Sequence, residues 1–456
     1  MPHRDSYVRL NVVCLQQCAR WLLSGIDWST IAFRRDCRWT PKTLVVASLL
    51  WAWSDELTLG ERFRTTHKIM TCITGGQQQL ARTYQAFLKI LRRWTDELVP
   101  LVQTALRDRL PAALPQSWRI ADFVVFGVDG SRIELPRTRS HEQVYSCIRK
   151  QRRGKPRVGQ DARKANSPQL WLTTTWHAGS GLPWDWRIGP ADSSERAHLR
   201  EMLSGMPAGA LLTADAGFVG YEGLREIICG GRHVLLRVGA NIRLLKKLGW
   251  ARESESTVYL WPDQAARREQ PPLVLRLVVV HNGKHPIHLV TSVLSQRRLS
   301  DAQLTALYAK RWGIELFYRD LKQTFRRRKL LSASAENARI ELVWSLVGLW
   351  SMALYALIEA RQHAIAPQRL SFAKLLLAFR RTLRDYLHPT AHGERLCQRL
   401  RQAITDSYLR KNKASRHYPR KKQQRSPGPP NILRATHAQI QHAKQVKQQP
   451  QKRLTA

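Results

Sequence analysis

Four residues with charged or phenolic side chains follow one stripe of a predicted helix. They are Tyr308, Arg311, Glu315 and Lys322. On a helix that turns about 100° per residue, all four fall within an arc of roughly 60°. The apolar residues of the same segment occupy a neighbouring arc, so this helix would border both a core and a cleft. A carboxylate among cations suits a site that holds metal ions and a polyanion together.

Two aspartates stand at the ends of predicted strands. Asp129 follows the apolar run at 123–128, and Asp215 follows a short run at 210–213. Because α/β folds build their sites at the carboxyl ends of strands, we expect both to converge with Glu315. Three carboxylates could hold two Mg²⁺ ions about 3.5–4 Å apart, which suits phosphodiester cleavage. Taken singly, each acid also fits an ordinary turn or a solvated helix face.

The elements around these acids predict an α/β fold. Strands are expected at 123–128, 132–135, 170–177, 183–188 and 210–213, and the spacing of Asp192 and Glu195 indicates a capping box that opens a helix before the last strand. Alternating residues from about 232 to 294 predict a β-rich insertion. Helices resume at Ser300-Asp301-Ala302-Gln303, a second capping box.

The predicted domains differ in composition and periodicity. They are a helical DNA-binding domain at 1–115, a catalytic core at 116–228 and 298–365, a β-rich insertion at 229–297, a C-terminal helical region at 366–409 and a disordered basic tail at 410–456. A generic helical bundle with solvated basic faces is an alternative for the first domain.

Charge is the dominant feature of the composition. The chain of 456 residues has 75 Lys and Arg against 34 Asp and Glu, a net charge of +41. The segment after Asp406 has basic but no acidic residues, yet the rest remains strongly basic without it. A nucleic acid is therefore the expected partner. The basic loop at 137–168 and the tail are candidates for phosphate contacts; a ribosome-associated or merely highly charged protein is the alternative.

The remaining composition favours a cytoplasmic protein without a membrane partner. The seven cysteines are scattered and complete no zinc site, which is typical of a reducing compartment. Charged residues interrupt any apolar run before residue 30, so no secretory signal is predicted. The apolar run at 342–358 is at the lower limit for spanning a bilayer, and we interpret it as a helix buried in a core.

Three motifs resemble those of a known family. The spacing Tyr308-x2-Arg311-x3-Glu315-x6-Lys322 is similar to the Tyr-Arg-Glu-Lys signature of bacterial insertion-sequence transposases that have a ribonuclease H-like DDE catalytic domain. V-D-G-S at 128–131 and A-D-A-G-F at 214–218 resemble the first and second aspartate motifs of that family. The β-rich segment between Asp215 and Glu315 resembles its insertion. The resemblance covers about 120–360, and 1–115 only loosely.

This resemblance implies a catalytic site and a reaction. Asp129, Asp215 and Glu315 would be the catalytic residues and would hold divalent metals, two Mg²⁺ ions with Mn²⁺ as a substitute. The other three stripe residues would contact DNA phosphates near the cut. The protein would bind double-stranded transposon ends, cleave them and join the 3′ ends to target DNA. A homodimer in the synaptic complex and a nucleoid-associated cytoplasmic location would follow.

Two features of this reaction are left open by the motifs. Some relatives form a hairpin intermediate and hold a flipped base on an aromatic side chain of the insertion, for which Trp250 and Trp261 are candidates. Trp312 could stack on a base or belong to the core.

Two other functions also remain: a metal-dependent nuclease without strand transfer, and an inactive DNA-binding relative. The complete set of acids and stripe residues favours an active enzyme.

Overall fold

The computed structural model describes most of the chain. The described residues are 14–76, 80–146, 167–239, 250–252, 256–282, 285–388, 394–405 and 433–448. Most of the predicted basic loop and most of the predicted tail therefore lie outside the described residues.

A ten-stranded sheet forms the centre of the described chain. Its strands, labelled in chain order, are β1 Val125–Glu134, β2 Gln169–His177, β3 Leu182–Pro190, β4 Leu211–Ala214, β5 His233–Val238, β6 Trp250–Arg252, β7 Thr257–Leu260, β8 Leu273–Asn282, β9 His285–Thr291 and β10 Leu433–Arg434. Their spatial order is β10-β6-β7-β8-β9-β5-β4-β1-β2-β3. Strands β1, β2 and β3 are antiparallel, whereas β4 and β5 continue the sheet parallel to β1. The predicted α/β class is confirmed.

Helices cover the sheet and precede it in the chain. They are α1 Pro41–Trp53, α2 Leu59–Ile73, α3 Tyr84–Ala113, α4 Arg139–Tyr145, α5 Glu195–Met202, α6 Tyr221–Cys229, α7 Asp263–Arg267, α8 Asp301–Lys310, α9 Gly313–Arg319, α10 Ala335–Gln362, α11 Phe372–Leu387, α12 Leu396–Gln402 and α13 His437–Gln448. Residues 14–23 are also helical. Thr40 caps α1 by accepting a hydrogen bond from the Thr43 amide, and Pro41 is the first helical residue.

Helix α10 joins the N-terminal helices to the core. It is long and apolar enough to cross a membrane, but 94% of its most apolar 18-residue window is buried inside the structure. Its Gly348 allows a close approach to α1, because a Cβ at this position would lie 2.9 Å from the Cβ of Ala52. The indole of Trp53 donates a hydrogen bond to the Gly348 carbonyl at 2.8 Å. The burial agrees with the interpretation of 342–358 as a core helix.

Strand β1 is longer than the pattern predicts. We expected two extended pieces separated by a turn at Asp129-Gly130-Ser131. Instead these residues continue the ladder with β2, where Asp129 lies opposite Thr174. Backbone pairing with a neighbouring strand overrides the local turn preference of Asp-Gly-Ser. The sheet also runs through the boundary predicted at 229, because β5 pairs with β4.

The predicted helix from 301 through the stripe is interrupted. Helix α8 ends at Lys310, α9 begins at Gly313, and a π-helical turn follows at Asp320–Thr324. At the interruption a Cβ on Gly313 would lie 2.1 Å from the ring of Trp176, so only glycine permits this approach. The intervening residues keep right-handed helical angles, so the stripe persists. The capping box at Ser300 is confirmed.

The prediction of a disordered tail at 410–456 is wrong for residues 433–448. Strand β10 pairs with β6, and α13 packs Ile440 near the buried Tyr259 of the insertion. Thr436 and Gln439 form a reciprocal cap, with the Gln439 amide donating to Thr436 Oγ1 at 3.3 Å. Composition suggested disorder, but a cap and a few apolar contacts order this segment against an existing sheet edge.

Candidate active site

Asp129 and Asp215 lie at corresponding positions of adjacent parallel strands. Val125 of β1 is paired with Leu211 of β4, and this register continues through Gly127. Continued by two residues, past the end of β4, this register brings Asp215 to the position beside Asp129. Asp215 therefore directly follows the end of β4 and lies beside the middle of β1, where Asp129 lies, so Asp129 is not at a strand end as predicted.

The three predicted acids are close enough for the charges of Asp215 and Glu315 to act on Asp129. The pKa of Asp129 is raised to about 6, first by burial and then by the charges of Asp215 and Glu315. A backbone hydrogen bond from Gly130 and the charge of Arg311 lower it in part. The structure thus groups these acids with the stripe arginine.

A buried tyrosine ties the helix of Glu315 to the strand of Asp129. The Tyr318 hydroxyl donates to the Asp129 carbonyl at 2.7 Å and also lies 3.2 Å from the Leu172 carbonyl. Burial raises the pKa of Tyr318, so the phenol stays a donor. Tyr318 follows Glu315 by three residues on α9, which places both on neighbouring parts of the helix surface.

Asp215 is exposed and caps the turn that follows it. Its Oδ1 accepts a hydrogen bond from the Gly217 amide at 2.7 Å. The Arg196 guanidinium of α5 donates to the Gly217 carbonyl at 2.7 Å and holds the same turn. One carboxylate oxygen is therefore engaged in positioning the loop.

Three stripe residues contact one another in sequence. Arg311 Nη2 lies 3.7 Å from Glu315 Oε1, and the guanidinium lies 5.5 Å from the centre of the Tyr308 ring. The Arg311 side chain is only 15% exposed. Its Nε is buried and has no hydrogen-bond partner within the described residues. Arg311 therefore has a free N–H donor, at Nε, next to the Glu315 carboxylate.

Lys322 connects the stripe to the first aspartate motif. Its Nζ donates to Ser131 Oγ at 2.6 Å, and burial lowers the pKa of Lys322. The residue lies in the π-helical turn, a feature that often accompanies functional sites. Beyond this turn the Glu134 amide donates to the Arg328 carbonyl at 2.9 Å, so the chain pairs with the end of β1.

Sequence reasoning missed a fourth acid, Glu195. We interpreted Asp192 and Glu195 as a capping box, but Ser194 caps α5 by accepting a hydrogen bond from the Ala197 amide. The Glu195 carboxylate reaches β1 instead: a Cβ added to Gly130 would lie 2.1 Å from its Oε1. The sequence did place an acid, Glu195, at the start of the helix between the strands of Asp129 and Asp215. A role in capping that helix explained this position equally well.

The charges around Glu195 resemble those around Asp129. The pKa of Glu195 is raised to about 7, first by burial and then by Asp129 and Asp215. All four acids are therefore within electrostatic reach of a common region.

The donors of this site suit a hard divalent cation. Carboxylate oxygens are the ligands that Mg²⁺ and Mn²⁺ prefer, and a cation would stabilise the ionised carboxylates against the burial and the neighbouring charges that raise the pKa values of Asp129 and Glu195. Within the described ranges, no three Asp, Glu, His or Cys side chains are already grouped to hold one ion.

The aromatic candidates have different environments. The Trp312 side chain is 59% exposed, which excludes the core alternative for this residue. The Trp261 indole donates to the Gln270 carbonyl at 2.8 Å, and its ring lies edge-on to His442 of α13 at 5.1 Å. The side chain of Trp250 lies outside the described residues.

Fold and site together define a class of protein: a mixed α/β chain with one acid within β1, one directly after the adjacent parallel strand β4 and one on helix α9. Residues 121–350, just over half of the chain, match the family model of the transposase DDE domain. The chain belongs to this family. The match includes every predicted site residue and Glu195.

The chain is similar to a curated transposase and to a solved transposase structure. The transposase InsG for insertion sequence element IS4 of Escherichia coli (strain K12) is 26% identical over 230 residues, or 48% of this chain and 51% of the relative. The chain thus spans about half the length of the curated relative it matches. A cryo-EM structure of the piggyBac transposase synaptic complex with hairpin DNA has a TM-score of 0.42 and 10% identity, covering 89% of this chain and 88% of that one. This TM-score is too low to establish a common fold.

Proposed function

We propose that this chain is a DNA transposase that cleaves transposon ends and joins their 3′ ends to target DNA by cut-and-paste transposition. The observation that carries this proposal is the convergence of Asp129, Asp215 and Glu315, with Tyr318 tying the helix of the third acid to the strand of the first. Family membership supports the same reaction class.

The acids would be the metal ligands. Transposase DDE domains generally use divalent metal ions. Asp129, Asp215 and Glu315 would hold two Mg²⁺ ions, with Mn²⁺ as a substitute. When bound, such ions activate the attacking oxygen and stabilise the leaving oxygen. The three carboxylates would thus hold the cations next to the DNA that the basic protein attracts.

The other stripe residues would position DNA. Arg311 has an unused Nε donor and a guanidinium suited to bidentate phosphate contact. Lys322 lies beside Ser131 and so brings a cation next to Asp129. The Tyr308 ring lies 5.5 Å from the Arg311 guanidinium, and its hydroxyl would contact the same DNA backbone.

Two successive displacements at phosphorus account for the release and the joining of each 3′ end; cut-and-paste transposition also requires cleavage of the second strand at each end. In the first, a water oxygen forms a bond to phosphorus while the bond to the 3′ oxygen breaks; the water loses a proton and the 3′ oxygen gains one. In the second, the new 3′ hydroxyl loses its proton and attacks a target phosphodiester, whose 3′ oxygen leaves. Both displacements need the same in-line geometry, so one site can perform them.

The strongly basic composition supports double-stranded DNA as the partner. We assign the helical region 1–115 to DNA binding and the functional unit to a homodimer that brings two transposon ends together. A bacterial cytoplasmic location at the nucleoid follows from this substrate.

The catalytic core would be ribonuclease H-like. The run of antiparallel β1–β3 followed by parallel β4 and β5 supports this assignment. Segments 116–228 and 298–365 would form the core, with the insertion at 229–297 and a helical region at 366–409. The chain beyond 410 would return to the insertion through β10 and α13.

The test uses DNA that carries the segments flanking the coding region. The purified full chain is incubated with this DNA and a supercoiled plasmid in Mg²⁺, in Mn²⁺ or in EDTA. We expect metal-dependent cleavage at defined ends and covalent joining of the released 3′ ends to the plasmid. Cleavage without joining would indicate a nuclease, and DNA binding without cleavage would indicate an inactive relative.

A further inference from the structure

Four arginines surround the C-terminal end of α1. They come from three other segments: Arg62 from α2, Arg327 from the segment after the π-helical turn, and Arg380 and Arg384 from α11. Arg327 Nη2 donates to the Ala52 carbonyl at 3.3 Å, and Arg380 Nε donates to the Trp53 carbonyl at 3.2 Å. Because the last carbonyls of a helix lack partners within it, these bonds stabilise the end of α1.

Two of these arginines keep donors that the fold does not use. Arg62 Nε donates to the Glu56 carbonyl at 2.9 Å, but its Nη1 and Nη2 have no partner within the described residues. The same is true of both Nη atoms of Arg380 in that part of the chain. These unpartnered nitrogens are not sealed from solvent. Arg327 differs, because all three of its nitrogens donate, Nε to Ser345 Oγ at 2.7 Å.

A fifth arginine, Arg326, adds its charge from an unfavourable backbone conformation. Its φ is +57°, in the left-handed region that favours glycine. The Arg327 amide donates to the Leu321 carbonyl at 3.0 Å, which closes the turn around Arg326. The Arg326 side chain is exposed, and its charge acts on both Arg62 and Arg380. An arginine where glycine would be less strained points to a role of its side chain outside folding.

The cluster has more cations than carboxylates. Among the described residues, the carboxylates that act on it are Asp55, which pairs with Arg384, and Glu341. Burial, and next the charge of Arg62, lower the pKa of Arg327 to about 9. Since an arginine keeps its proton in proteins, the guanidinium groups repel one another. An anion bound among them would relieve this repulsion.

We propose that Arg62, Arg326 and Arg380 form a second phosphate-binding site, which holds a backbone phosphate of double-stranded DNA outside the active site. Free pairs of Nη donors on a planar guanidinium suit such a contact. The segment that carries Arg326 continues from the active-site residue Lys322, whose carbonyl accepts a hydrogen bond from the Arg328 amide at 3.1 Å. This inference rests on the proposed function, because it takes DNA as the partner from there.

The test measures binding of the full chain to a duplex from the DNA flanking the coding region, over a series of salt concentrations. Arg326→Gly removes one exposed charge and gives the left-handed position its preferred residue. We expect about 10-fold weaker binding at moderate salt and a slope of log K against log salt that is smaller by about 1. A duplex of unrelated sequence should show the same loss, because phosphate contacts carry no sequence information.

Two control variants separate this site from net charge. Arg326→Lys keeps the positive charge and should retain the salt slope of the unmodified chain. Arg200→Gln removes a charge that is already neutralised, because the Arg200 side chain is 59% exposed and pairs with Glu226 at 2.5 Å. It should bind DNA like the unmodified chain. Unchanged binding by Arg326→Gly, an equal loss in Arg200→Gln, or the reduced slope in Arg326→Lys would overturn the inference.

Urea unfolding separates phosphate binding from a structural role of Arg326. The Arg326→Gly variant should be at least as stable as the unmodified chain, because glycine relieves the left-handed backbone. Weaker DNA binding that is accompanied by lower stability would assign Arg326 to folding and contradict the inference.

Cleavage in the same preparations distinguishes failure of the inference from failure of the proposed function. Metal-dependent cleavage by the unmodified chain, together with unchanged DNA binding by Arg326→Gly, would refute only the second phosphate site. DNA binding that depends on Arg326, without cleavage by the unmodified chain, would support this site and refute the proposed enzyme. If the unmodified chain binds neither duplex, both fail.

Discussion

The substitution Gly130→Ala tests the packing beside Asp129. The added methyl group would lie 2.1 Å from Glu195 Oε1, 2.7 Å from Trp171 Nε1 and 2.8 Å from Trp171 Cζ2. Comfortable carbon contacts are about 3.5–4.0 Å. The backbone of Gly130 is not in the left-handed region, so any loss comes from these contacts.

The magnitude depends on which neighbour can move. Glu195 can rotate away, since its contact is the far end of a flexible chain. Trp171 of β2 has less freedom, because the guanidinium of Arg132 on β1 lies 5.3 Å from the centre of its ring. Overpacking of this kind costs about 1–3 kcal/mol of unfolding free energy.

The same strand offers a matched control in Gly127→Ala. Its added methyl group would lie 3.5 Å from Trp176 Cε3 and 3.8 Å from Thr213 Oγ1, which are ordinary contacts. We expect this variant to be neutral or more stable by about 0.4–1 kcal/mol.

The assay is urea unfolding of both variants, followed by DNA binding and metal-dependent cleavage. Gly130→Ala should lose stability and cleavage while it retains DNA binding. Equal stability of the two variants would refute the close packing of Glu195 and Trp171 over Gly130.

Three further predictions concern other parts of the site and its support. Burial lowers the pKa of His177 to about 4, so the unfolded chain binds a proton near pH 6.5 that the folded chain does not bind until about pH 4. The free energy of unfolding should therefore fall by about 3 kcal/mol as the pH decreases through this window. In urea unfolding at several pH values, His177→Gln should show a shallower fall. An unchanged slope of unfolding free energy against pH in this variant would contradict the prediction. Tyr318→Phe removes the hydrogen bond to the Asp129 carbonyl and should cost about 1–2 kcal/mol and slow cleavage, so an unaltered cleavage rate would argue against the tether. Lys322→Met should weaken DNA binding and reduce the slope of log K against log salt by about 1; an unchanged slope would exclude a phosphate contact.

Local patterns were sufficient for part of the fold and site. Helical periodicity is set within a few turns, so the stripe from Tyr308 to Lys322 could be recognised without tertiary information, and its residues stay together despite the interruption at Gly313. The strands predicted at 170–177 and 183–188 were similarly local, because each is an apolar-rich run and the turn between them contains Gly181, whose φ of +75° favours glycine.

The parts of the fold and site that the sequence did not predict depend on contacts between distant segments of the chain. Whether Glu195 caps its own helix or reaches Gly130 is decided by the packing of α5 against β1, which spacing alone does not contain. Helix α13 is ordered because β6 and Tyr259 offer an edge and an apolar contact. Composition describes the segment itself but not the surface that receives it.

The most direct test of the account compares unmodified chain and Glu315→Gln for DNA binding and Mg²⁺-dependent cleavage in the same preparations. Glu315 lies on α9, is partly exposed and contacts Arg311 by a single 3.7 Å ion pair, so its amide should not unfold the chain. We predict that Glu315→Gln binds DNA like the unmodified chain and cleaves none of it in Mg²⁺. Cleavage by this variant at the rate of the unmodified chain would contradict the assignment of the active site.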